Sequence, residues 1–167
     1  MESIQHQAMT KRVKSTKVGD IFEIVINSDK KRYLQYIISD MSQLNSDVVR
    51  VFKRKYPLTE KPSLQIILED DILCYFHCDS KAGIIKNKWS LYGNDPNVGV
   101  IKNVFFRTPL NPKNMHDPTT VGWIVWPING EMKYIELLNN EQKLYGLGYI
   151  FPVDLVHQLI VEGNASE

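Results

Sequence analysis

The stretch CYFHCDS, Cys74 to Ser80, gathers most of the residue types that bind a metal or attack a substrate. Thiolates and an imidazole suit a tetrahedral zinc ion. The spacing argues against one. ILCYFHC reads as a β-strand, so Cys74 and Cys78 share a face but stand roughly 13 Å apart at about 3.3 Å per residue. Two ligands of one ion cannot be that distant, and a disulfide needs Cα atoms within about 7 Å. His77 falls on the opposite face. No CxxC or HxxxH pair elsewhere completes a site. Free, packed cysteines are expected, with no metal.

Nucleophilic catalysis has the right residues in His77, Asp79 and Ser80, but three groups so close along a strand end do not converge on one point. His157 and Asp154 lie one helical turn apart, the spacing of a surface or capping pair. His116 in NMHDP has the makings of a loop general base, with Asp117 beside it to raise its pKa, yet no nucleophile accompanies them. The glycines of YGLGY do not open a helix, as a phosphate-cradling loop must. A small hydrolase is therefore the weakest of three functional readings.

Binding is better represented. On VVRVFKRKY, alternation sets Arg50, Phe52, Arg54 and Tyr56 on one face, cations interleaved with aromatics as phosphate contacts and base stacking require. Lys11, Arg12, Lys14 and Lys17 could extend that footprint. The same pattern arises when Phe52 is core and the arginines snorkel at its edge. VGWIVWPING carries Trp123 and Trp126, whose odd spacing sends the two indoles to opposite faces of a strand. Pro127 ends the ladder beside Trp126, which makes Trp126 the expected exposed indole and Trp123 the expected core residue. The alternative is that a helix covers the second face and both are core. Trp126, Tyr33, Tyr36, Arg50, Arg54 and Tyr56 are the candidate partner-binding residues, since Trp, Tyr and Arg dominate protein–protein hot spots.

The elements that must position these groups are mostly strands. VGDIFEIVIN, YLQYIIS and VVRVFKRKY follow one another with short links, so an antiparallel meander is expected, with Pro57 stopping the third run. KPSLQIILEDD reads as a short helix opened by Pro62 or Ser63. ILCYFHC and VIKNVFFRT are strands, KAGIIKNKW is weakly helical, and YGNDPN is a turn. PLNPKNMHDPTT is an irregular loop. The tryptophan strand turns at Asn129-Gly130, a type I′ signal, and EMKYIEL returns from it. A short strand over 144–150 and a helix started by Pro152, with Val153, Val156 and Ile160 on one stripe, close the chain. About seven or eight strands and two or three short helices result.

With 167 residues, 43% hydrophobic and 23% charged, the composition is that of an ordinary globular chain. No apolar run reaches the roughly 18 residues that span a bilayer, so no membrane partner is expected. The first residues hold no apolar signal core, and two cysteines make no disulfide framework, which points to the cytoplasm. The net charge of +1 is unevenly spread. Residues 1–61 hold 12 Lys/Arg against 7 Asp/Glu, and residues 62–167 hold 8 against 12. Such a division either steers a charged partner or reflects lysines in a basic N-terminal arm and at solvated strand ends.

GDIFEI, then RYLQYI, then the late tryptophan strand and the closing FPVDLV helix resemble the immunity-protein-26 class of bacterial polymorphic-toxin systems. The similarity lies mainly in Gly19 to Ile38 and in Tyr149 to Ile160. It implies a non-enzymatic antidote that binds and blocks a cognate toxin, with no cofactor and no catalytic residues. The expectation is therefore a flexible basic arm over 1–17 and a single α+β domain over 18–167. Its antiparallel sheet bends strongly, toward a partial SH3-like barrel, and a C-terminal helix ends it. A nucleic-acid-binding barrel is the alternative.

Overall fold

The computed structural model describes residues 15–117 and 119–163. The expected basic arm lies, through residue 14, outside the described residues. Its end is tied down: the Thr16 and Ser80 hydroxyls are 2.6 Å apart, and the Lys17 amide donates to Asp20 Oδ2 at 2.9 Å.

Alternating apolar residues form the first sheet as the periodicity predicts. Strands β1 (Asp20–Val25), β2 (Lys30–Asp40) and β3 (Ser46–Phe52) pair antiparallel in sequence order. The two-residue β4 (Tyr56–Pro57) pairs with the start of β2, and β5 (Ile72–His77) lies against β3. A strand absent from the sequence reading, β6 (Ser90–Asn94), pairs with β1, giving the order β5-β3-β2-β1-β6. Leu91 is 57% exposed, so β6 lacks the inward alternation by which a strand is recognised.

The second sheet has the order β10-β7-β8-β9, from β7 (Phe105–Pro109), β8 (Trp123–Pro127), β9 (Lys133–Ile135) and β10 (Gly146–Leu147). The β8–β9 connection is not the expected type I′ turn. Gly130 donates to the Pro127 carbonyl at 2.9 Å, and Asn129 (φ 55°) takes the left-handed position while Gly130 does not. The turn therefore begins at Pro127. Neither sheet closes on itself, so the fold is mixed α+β, mostly strand, in two open sheets.

Among the described residues, three short α-helices complete it. Ser63 caps α1 (Leu64–Leu68), accepting from the Ile66 amide, and Asp79 caps α2 (Ser80–Ile85), accepting from the Ala82 amide. Pro152 precedes α3 (Val153–Glu162), and Gly163, left-handed at φ 79°, ends it. No helix among the described residues is long and apolar enough to cross a membrane.

Both faces of the first sheet are buried. On one, Phe22, Val49 and Phe76 meet Trp89, Phe151 and the Val153–Val156–Ile160 stripe of α3. On the other, Ile37 and Val48 pack against Phe106 and Trp126 of the second sheet, while Tyr33, Phe52 and Tyr56 pack under Ile67 of α1. A further cluster of Trp123, Val125 and Leu138 lies on the outer face of the second sheet.

Candidate functional site

Trp123 and Trp126 do point to opposite faces, but the expected exposure of Trp126 is overturned: it is 2% exposed and Trp123 is 0% exposed. The first sheet covers Trp126, and the segment from Ile135 to Tyr145 covers Trp123. No α-helix is involved in either case. Gly148 lies so close to the Trp126 ring that a Cβ there would fall 2.0 Å from it.

The other partner-binding candidates are corrected in the same way, with one exception. Tyr33 is enclosed by Tyr56 and Tyr92 and donates to Glu23 Oε2 at 3.2 Å. Tyr36 is part of the largest core cluster, and burial pushes its hydroxyl up to about 12. Tyr56 is sealed in its core with an unpartnered hydroxyl. Arg50 donates from Nε to Gln35 at 2.9 Å and from Nη2 to the Asn97 carbonyl at 2.9 Å, so the loop at residues 95–99 lies across the basic strand. Arg54 alone is exposed, its guanidinium 4.7 Å from the Tyr56 ring. Alternation read VVRVFKRKY as one strand, but β3 ends at Phe52, and alternation could not show that a loop covers Arg50 and that α1 covers Phe52 and Tyr56.

The candidate catalytic groups disperse. His77 Nε2 meets Asp40 Oδ2 at 2.8 Å in full burial, Asp79 caps α2, and Ser80 Oγ is held by Asp47 Oδ2. Burial opposes the Asp40 charge, yet hydrogen bonds from His77, Trp126 and the Asn129 amide outweigh it and hold its carboxyl low. Burial also holds His77 below its ordinary value. Neutral His77 then donates from Nε2 to ionised Asp40, and its Nδ1 is buried without a partner. Asp117 is engaged by Thr119, and Asp154 pairs with Lys86 and Lys88 at 2.8 and 2.9 Å. Cys74 and Cys78 are free, and burial raises both thiols, Cys74 to about 12. Among the described residues no three His, Cys, Asp or Glu side chains gather as a metal site.

Two features remain open to solvent. The first is a groove of about 560 Å³ between β5, α3 and the segment from Lys143 to Phe151. Cys74, Phe76, Leu147, Phe151, Leu155 and Leu159 supply apolar walls. Arg107, His116 and Lys143 line it as well, and among the described residues no carboxylate does. The Arg107 guanidinium lies 4.9 Å from the Trp123 ring and donates from Nε to the Tyr145 carbonyl at 3.3 Å. Gly146 lets this wall close up, since a Cβ there would sit 2.7 Å from the Phe106 ring. Sequence reasoning missed the groove. Its one trace is Leu155 and Leu159, apolar and four apart, off the helix stripe that faces the core.

The second feature is the free end of the second sheet. Leu110 donates its amide to the Gly122 carbonyl, and the Gly122 amide donates to Glu136, so three chain segments are joined there. Leu110, Val121 and Leu137 are 60%, 64% and 61% exposed, and Tyr134 on β9 is 58% exposed.

Comparisons of the chain with protein-family models, with curated proteins and with solved structures found no match.

Proposed function

We propose that this chain is a non-enzymatic cytoplasmic binding protein, an antidote that binds and neutralises a cognate bacterial toxin. The observation that carries the reading is the exposed apolar set Leu110, Val121, Leu137 and Tyr134, held on hydrogen-bonded strand ends. Apolar and aromatic side chains on a rigid rim are suited to be covered by another protein. The resemblance of GDIFEI, RYLQYI and FPVDLV to immunity proteins supports the nature of that partner. The order β5-β3-β2-β1-β6, its last strand beside its first with a meander between, supports reading the first sheet as an SH3-like partial barrel. The nucleic-acid reading loses its support, because Arg50, Phe52 and Tyr56 do not present an open face.

Co-expression with the C-terminal domain of a secreted protein encoded by a neighbouring gene tests the proposal. Growth rescue and co-purification are expected, both lost in the double variant Leu110→Lys, Leu137→Glu while its melting temperature is kept. No rescue and no co-purification by the unaltered chain would sink the antidote reading.

A further inference from the structure

The groove beside β5 holds a charge without a counter-charge among the described residues. Arg107 projects from β7 among apolar groups, half-buried, and forms no ion pair with any described residue. Its Nη1 is shut off from solvent and has no hydrogen-bond partner. Burial pulls its pKa down, and with Nε committed to the Tyr145 carbonyl, Nη2 is the nitrogen left for a ligand in the groove. A guanidinium cannot shed its proton to escape this cost, and a carboxylate is an anion it pairs with closely. Lys143 and His116 add cationic or donor capacity on the same groove.

The rest of the groove is built for an apolar chain. Leu147, Phe151, Leu155 and Leu159 line it with apolar side chains suited to a hydrocarbon chain. Strand addition is obstructed: a Cβ at Gly146 would lie 3.6 Å from the Tyr75 carbonyl, so β10 already crowds that part of the β5 edge. A cavity of about 560 Å³ lies within the usual range of small-ligand sites.

We propose that this groove is a binding site for an amphiphilic monocarboxylate of the fatty-acid class, its carboxylate on Arg107 and its chain between β5 and α3. The site is separate from the Leu110–Val121–Leu137 rim, so it stands or falls independently of the antidote reading.

The test is calorimetric titration of the purified chain with dodecanoic acid and, in parallel, with dodecanol. Saturable one-site binding of dodecanoate is expected, with dodecanol weaker by about tenfold or more, the loss of a charge-assisted hydrogen bond. Arg107→Gln should weaken dodecanoate by a similar factor and leave dodecanol unchanged. If that variant fails to fold, the acid–alcohol comparison on the unaltered chain decides alone. Equal affinity for acid and alcohol, or no saturable binding of dodecanoate, overturns the proposal. So does capture of an apolar peptide with a free C-terminus by a protein that ignores dodecanoate.

Discussion

Asp40 at the end of β2 holds His77 at the end of β5, Oδ2 to Nε2 at 2.8 Å, and the same carboxylate accepts from Trp126 Nε1 at 3.3 Å. One buried charge thus ties two strands of the first sheet to the second sheet.

Acid should loosen that junction. The folded state keeps His77 neutral, whereas the unfolded chain takes up a proton near the ordinary histidine value of about 6.5. Stability therefore falls as pH drops below about 6.5 toward the depressed folded value. Asp40 acts in the same direction at lower pH: its contribution, complete above the ordinary carboxyl value of about 3.9, is lost as pH falls through its lowered folded value. His157, also lowered by burial, adds the same sign, so the readout is a difference between variants. Urea midpoints followed from neutral to mildly acid pH should fall less in His77→Gln than in the unaltered chain. Parallel slopes would show that His77 does not carry the effect.

Both tryptophans should behave as core residues. Trp123→Ala and Trp126→Ala are each expected to cost about 3–5 kcal/mol in denaturant unfolding. Gly148→Ala should cost about 1–3 kcal/mol, because its methyl would overlap the Trp126 ring. A Trp126→Ala protein as stable as the parent would mean that this indole is not packed between the sheets.

The cysteines should be slow. Burial raises both thiols, so few are ionised near neutral pH and few can attack a reagent. Ellman's reagent should label both quickly only after denaturation, and elemental analysis should find no stoichiometric zinc. Stoichiometric zinc lost on Cys78→Ser would contradict the free-thiol assignment.

Arg50→Ala should lower stability, since it leaves Gln35 and the Asn97 carbonyl without their donor. It should not alter a binding curve. Titration with single- and double-stranded oligonucleotides at low salt is expected to show no tight binding. Sub-micromolar affinity at physiological salt, abolished by Arg50→Ala with Arg54→Ala, would restore the nucleic-acid reading.

Local chemistry was legible in the chain itself. The meander from Asp20 to Phe52, the Ser63 start of α1, the Pro152 start of α3 and the opposite facing of Trp123 and Trp126 follow from side-chain period and cap residues. Those rules concern a residue and its near neighbours. Whether a face is open depends on what arrives from far along the chain. Only the tertiary structure laid the Asn97 loop on Arg50, the first sheet on Trp126 and α1 over Tyr56, turning a binding face into core. The same long-range packing left Arg107 without a carboxylate in the groove between β5 and α3, because no period in FFRT records which distant helix will form the opposite wall.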